Sequence, residues 1–224
     1  ISGAPGEQQS ETEYLFFRGM HGDKQPSGTR SVTITDSAGG THTDHDAFSG
    51  ITREVIVRNG PGGEAVSTTF TTPWKKELAS RTYSWGTLRS HLVKVESTET
   101  HIPLENGTRI TRTVNSFDDR GFITQVDDLG DISTSEDDRC IRTTYAHNTD
   151  TWLLGKVSRE ETVAVNCSET PTRPDDVVSD ERTFYDGSGF GTAPTRGLPT
   201  RSERLASYSN GAPEYQTVVE KTFD

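Results

Sequence analysis

Short β-type runs fill most of this chain: Val, Ile, Thr, Phe, Tyr and Trp recur in nearly every ten-residue block, and stretches rich in Gly, Asn, Asp and Pro separate the runs. Tyr14-Leu15-Phe16-Phe17 is the densest apolar run and predicts a buried strand. Gly19 to Gly28 reads as a loop. Hairpins are then predicted in succession. Ser31–Thr35 turns through Asp36-Ser37-Ala38-Gly39-Gly40 into Thr41–Asp44, and Glu54–Arg58 turns through Asn59-Gly60-Pro61-Gly62-Gly63 into Ala65–Phe70. Asn-Gly between two β-type runs is a strong hairpin signal, because both residues tolerate positive φ.

Further strand-like runs span 81–96 (broken at Gly86), 109–114, 121–127, 142–145, 161–165, 182–185, 200–205 and 215–222. Pro171–Pro174 and Thr192–Pro199 read as loops. The best helical candidates, a turn near Trp74-Lys75-Lys76-Glu77-Leu78 and a start at Pro174, lack two turns of 3.6-residue apolar spacing. The expected class is all-β: successive antiparallel hairpins forming an extended, curved sheet of ten or more short strands.

Composition supports ordered β structure with a thin core. Only 29% of the 224 residues are hydrophobic, and the mean hydropathy is −0.71. Apolar side chains spread so sparsely suit sheets buried on one face better than a thick helical core. Charge is mixed rather than blocky, and β-branched and aromatic residues recur throughout, which argues against disorder. The net charge of −11 argues against a nucleic-acid partner, since affinity for phosphates comes from Lys and Arg. No apolar run approaches the roughly 20 residues of a membrane-spanning helix, so no membrane insertion is expected.

One phrase recurs: an aromatic residue, then Asp, then a Gly-containing turn. It stands at Phe117-Asp118 with Gly121, at Tyr185-Asp186 with Gly187, and at Phe223-Asp224. The intervals are unequal, so the phrase marks turns between hairpins rather than a strict period. These phrases resemble the tyrosine-aspartate (YD) repeats of bacterial RHS proteins. The stretch from Tyr14-Leu15-Phe16-Phe17-Arg18-Gly19-Met20 through Val126-Asp127-Asp128-Leu129-Gly130-Asp131 to Tyr185-Asp186-Gly187 resembles the RHS-repeat proteins of Streptomyces-type actinobacteria.

The resemblance implies hairpins joined edge to edge into a sheet that spirals into a hollow shell around a C-terminal toxin or effector domain. It further implies that the aromatic-Asp pair stands at a strand end, that Gly121 and Gly187 serve the turns after it, and that no part of this segment is catalytic. The self-cleaving segment of such proteins has no counterpart here. The expected organisation is a linker over 1–10 and an RHS/YD-repeat-like β segment over 11–224, with a sub-boundary near 97–108, cut from a longer chain. Its partners would be the effector domain and neighbouring repeats of that chain. Open sheet edges would also invite self-association. The expected location is secreted or cell-surface. The alternative is a cell-surface binding module for a glycan or protein.

Candidate chemistry is sparse. Cys140 and Cys167 admit one disulfide, which would imply an oxidising compartment; two unpaired buried thiols are the other reading. Asp127, Asp128 and Asp131, with Glu136, Asp137 and Asp138, form the most acidic stretch, a weak calcium candidate against the default of a solvated acidic loop. His42, Asp44 and Asp46 share one face of an extended strand and could ligate a metal, although polar alternation on a solvent-facing strand is the commoner cause. No cofactor is expected. Gly187-Ser188-Gly189-Phe190-Gly191 reads as a hairpin turn, since no helix follows to hold an anion. Trp74, Trp85 and Trp152 are expected in a core or lining a shell. An exposed aromatic strip would instead favour sugar binding.

Overall fold

A computed structural model describes residues 9–223 of the chain; most of the linker expected over 1–10, and Asp224 of the third phrase, lie outside the described residues. Thirteen strands follow in order: β1 (Glu11–Phe16), β2 (Thr33–Thr35), β3 (Thr41–Thr43), β4 (Thr52–Arg58), β5 (Ala65–Tyr83), β6 (Gly86–Leu104), β7 (Gly107–Phe117), β8 (Ile123–Asp131), β9 (Arg139–Tyr145), β10 (Val157–Val163), β11 (Val177–Tyr185), β12 (Pro199–Ser209) and β13 (Ala212–Glu220). A 3₁₀ turn over Asp46–Phe48 is the only helical element among the described residues. The fold is all-β, as its β-type runs predict. The chain divides into two compact units between Arg112 and Thr113.

Eleven strands form one sheet in the order β1-β4-β5-β6-β7-β8-β9-β10-β11-β12-β13, and β2 and β3 form a separate hairpin. Apart from that inserted hairpin, every strand neighbours the next in sequence, and the pairings from β1–β4 to β5–β6 and from β8–β9 to β12–β13 are antiparallel. This meander is what a chain of turn signals and little helical periodicity should build. The β12–β13 connection shows the turn chemistry plainly. Asn210 (φ 51°) and Gly211 (φ 80°) both take positive φ, the two-residue hairpin geometry that matches strand twist.

Three expectations are corrected. The Trp74–Leu78 stretch is no helical turn but the middle of β5, which pairs with β6 from Thr68 to Tyr83. Both strands run 19 residues, far from short. Pro73, which has no amide hydrogen for the ladder, sits where the pairing slips between Thr72 and Pro73, a place where a sheet tolerates proline. No helix starts at Pro174 either; the segment turns directly into β11. The Tyr14–Phe17 run is not a buried strand. Tyr14 and Phe16 are 58% and 44% exposed and only Phe17 is buried, because β1 ends the strand order and pairs with β4 alone.

In each unit the core mixes apolar and charged side chains. In the first, Phe17, Ile34, Ile56 and Phe70 are buried beside Asp36, Asp44, Arg53 and Glu54. Arg53 holds Asp36 through Nε at 3.2 Å and Nη2 at 2.8 Å, and His42 reaches the same carboxylate at 2.7 Å. In the second, Val163, Phe184, Tyr185 and Cys140 are buried beside Glu161 and Asp180. Arg159 forks onto Asp180 at 2.8 and 2.6 Å, and Arg159 and Arg173 both reach Glu161. Buried carboxylates are tolerable when they are paired or fully hydrogen-bonded, as these are.

Candidate functional site

The aromatic-Asp phrases are the residues to which the sequence assigns a shared role, and both described copies close a turn. Phe117 ends β7, and Asp118 follows it as the chain reverses toward β8. The Asp118 backbone N–H donates to Phe122 O at 2.9 Å, and its C=O accepts from Gly121 N at 3.0 Å. Gly121 takes φ 80°, the left-handed conformation that costs a side-chain-bearing residue about 1 kcal/mol. Asp118 Oδ1 accepts the amides of Arg120 and Phe122, both at 2.8 Å.

The other oxygen, Oδ2, takes His147 Nε2 at 3.1 Å, while His147 Nδ1 accepts Gly155 N–H at 3.1 Å. That second bond assigns the ring proton to Nε2, so both imidazole nitrogens are committed. His147 stacks on Tyr145 with centroids 5.3 Å apart and lies 5.2 Å from Phe122. Burial pushes the Asp118 carboxyl up, but the Phe122 and Arg120 amides and His147 outweigh it and hold the group below its ordinary range.

Tyr185 ends β11, is 9% exposed, and donates its hydroxyl to Val157 O at 2.8 Å. Asp186 takes φ 57° and Gly187 φ 70°. Here the carboxylate reaches across a long loop. Oδ2 accepts the amides of Thr195, Arg196 and Gly197 at 2.7, 2.9 and 3.2 Å, and Oδ1 accepts that of Leu198 at 2.9 Å. Against the opposing push of burial, these four amides lower the Asp186 carboxyl to about 2. Gly187–Gly191 is a turn, as expected, but one inside this carboxylate-closed loop rather than a hairpin of its own.

The loop is also held down from its far side. Phe190 lies 5.7 Å from Phe184 and 4.6 Å from the Arg182 guanidinium; Arg182 covers Tyr215 at 3.6 Å and Arg201 covers Phe184 at 3.8 Å. Alternating rings and cations contribute beyond their buried area. Phe223 of the third phrase is 44% exposed and lines a cavity of about 650 Å³ with Phe184, Asp186 and Leu198.

Asp44 does the same work in the first unit without an aromatic before it. Fully buried, it accepts the amides of Arg18, Gly19 and Met20 at 2.6, 2.9 and 3.3 Å, which overcome its burial and keep its carboxyl below the usual range. Sequence reasoning grouped Asp44 with His42 and Asp46. The structure separates them: His42 bonds Asp36, and Asp46 accepts Ala47 N at 2.7 Å.

The acidic candidates are also occupied as structural acceptors. Asp127, Asp128 and Asp131 lie on β8 rather than in a loop. Asp127 Oδ1 accepts Cys167 N at 2.8 Å, and Asp131 Oδ1 accepts the Ser133 amide and hydroxyl at 3.0 and 2.7 Å. Asp128 Oδ1 lies 3.4 Å from Gly130 N. Among the described residues no three His, Cys, Asp or Glu side chains are grouped to hold a metal ion.

Cys140 and Cys167 form a disulfide. It ties β9 to the loop after β10, a closure worth about 3 kcal/mol on the chain-entropy argument. A disulfide is compatible with an extracellular protein, and no helix among the described residues is long and apolar enough to cross a membrane. Of the tryptophans, Trp85 and Trp152 are 57% and 75% exposed, so neither is a core residue. Sequence reasoning missed the Arg159–Asp180–Glu161–Arg173 cluster altogether, because its members stand on separate strands and a loop and each alone reads as a solvated charge.

A sequential antiparallel meander, with two of its turns closed by the carboxylates of Asp118 and Asp186, defines an all-β fold. Among solved structures, the chain is similar to the crystal structure of TcdB2-TccC3, with a TM-score of 0.50 and 11% identity over 71% of this chain and 10% of that one. At that identity the likeness is one of fold alone, and the chain spans about a tenth of that neighbour's length. No protein-family model and no curated protein matches the chain.

Proposed function

We propose that this chain is a non-catalytic segment of an RHS/YD-repeat shell that scaffolds or encloses a secreted toxin or effector domain, which belongs with neighbouring repeats to the same parent protein. The observation that carries the reading is the strand order. Successive hairpins add one after another to a single sheet, and β1 and β13 end that order. β13 is exposed along nearly its whole length. An exposed edge of this kind is a template for the next strand.

The carboxylate-closed turns support the same reading. Their acids are ionised and saturated by N–H donors, so they act as fixed anchors and not as proton donors. Disulfide closure suits a secreted scaffold.

Limited proteolysis of the parent protein tests the proposal. The effector domain is expected to resist cleavage in the intact protein and to be cut rapidly when residues 9–223 are deleted. Equal cleavage of both would contradict enclosure.

A further inference from the structure

The outer part of the β5–β6 hairpin differs from the rest of the chain. β4 reaches no further along β5 than Phe70, yet β5 and β6 stay paired to Tyr83 and Gly86. At about 3.3 Å per residue the ribbon runs roughly 40 Å beyond β4. From Glu77 to Ser90 every residue except Tyr83 and Gly86 is exposed. A two-stranded ribbon exposed on both faces is marginal by itself. Local contacts sustain this one: Arg89 holds Glu77 at 2.5 Å, and the hydroxyls of Thr82 and Thr87 meet at 3.0 Å.

Its composition runs against the rest of the protein. The exposed span 77–90 carries Arg81 and Arg89 against Glu77 alone, a net +1 with the half-buried Lys75 and Lys76 at its base, in a chain of net −11. Lys24, from the loop before β2, joins them by donating to Trp85 O. The same tip exposes Leu78 (57%), Trp85 (57%) and Leu88 (52%). Basic and apolar surface therefore coincide at one projecting end.

We infer that the β5–β6 tip docks on an anionic lipid surface, with Leu78, Leu88 and Trp85 entering the headgroup–acyl boundary and Lys24 and Arg81 meeting the headgroups. Its aromatic geometry separates this occupant from a sugar or a nucleobase. Tyr83 and Trp85 stack on each other at 5.1 Å and 10°. The Arg81 guanidinium lies 5.1 Å over Tyr83 and Lys24 Nζ lies 6.0 Å over Trp85, so each ring already engages a partner ring and a cation.

What the tip leaves to solvent is aliphatic side chain, indole and positive charge. Leucine contributes nothing to sugar or base stacking, whereas Leu, Trp and Lys/Arg together suit a membrane interface. Acids of the chain that lie more than a Debye length of about 10 Å from the tip are screened and do not cancel the attraction. The inference stands whether or not the chain is a shell segment.

Co-sedimentation with phospholipid vesicles tests it. The wild-type chain should pellet with phosphatidylcholine vesicles holding about one-third phosphatidylglycerol and not with pure phosphatidylcholine, with a blue shift of tryptophan emission that Trp85→Phe abolishes. Lys24→Gln and Arg81→Gln should each weaken binding about fivefold, and Leu78→Ser with Leu88→Ser about tenfold. Unchanged thermal unfolding would show each variant folded. A leucine variant that binds like wild type would overturn the inference in favour of plain charge attraction. Failure to pellet with anionic vesicles would also overturn it, and so would retention of the same residue dependence only on a soluble acidic polypeptide, which would point to a protein partner.

Discussion

Asp118 and Asp186 occupy the same place in the same phrase, yet they close loops of very different length. Asp118 captures amides two and four residues ahead and borrows His147 from across the unit. Asp186 captures four amides nine to twelve residues ahead and needs no side-chain partner. What the two share is a strand-ending aromatic and a carboxylate whose lone pairs collect backbone N–H groups that no ladder can satisfy. The invariant is thus the job and not the spacing, which is why the phrase recurs at unequal intervals. A loop can lengthen freely provided its far end brings amides back to the acid.

Asp44 supplies the sharpest extension of that comparison, since it does the job with no aromatic before it and no solvent contact. Asp44→Ala should cost about 3 kcal/mol in denaturant unfolding, because three amides lose their acceptor in a buried place. Asp186→Ala should cost about 2 kcal/mol, with Asp186→Asn recovering part of the loss, as Asn keeps an acceptor and tolerates positive φ. Equal losses for Asn and Ala would break the idea that amide capture is what matters.

Asp118→Ala should cost less, about 1 kcal/mol, having two amides to release rather than four. Smallest of all, Gly187→Ala should cost under about 1 kcal/mol. Its φ of 70° strains a side chain, but an added Cβ would meet nothing within 4 Å.

The sequence makes the hairpins readable where turn chemistry is local. Asp36–Gly40 and Asn59–Gly63 mark β2–β3 and β4–β5 because Gly and Asn announce positive φ on the spot. Burial is harder to read. Tyr14 and Phe16 look like core residues, yet a strand with a neighbour on one side alone leaves them in solvent. Lys75-Lys76-Glu77 looks too polar for a strand interior, but Lys75 is held half-buried against His45 and Phe48, and from Glu77 outward a ribbon solvated on both faces demands no apolar alternation. The carboxylate roles were legible only as a phrase. Which amides Asp186 would collect depends on Thr195 to Leu198 folding back, and no spacing rule encodes that. The Arg159–Asp180 fork is hidden for the same reason: its register exists only once β10 pairs with β11, which sets Arg159 opposite Arg182, two residues from Asp180.

The central claim is that the phrase aspartates are ionised amide acceptors that hold their loops closed. A carboxyl-carbon NMR titration, followed together with the amides of 195–198, tests it most directly. Asp186 should titrate near pH 2, against an ordinary value of 3.8. A folded value below the unfolded one means the stabilisation is present above the ordinary aspartate range and is lost as pH falls through about 2. The Thr195, Arg196, Gly197 and Leu198 amides should shift in the same step. An Asp186 titration at an ordinary aspartate value, with those four amides unmoved, would contradict the account.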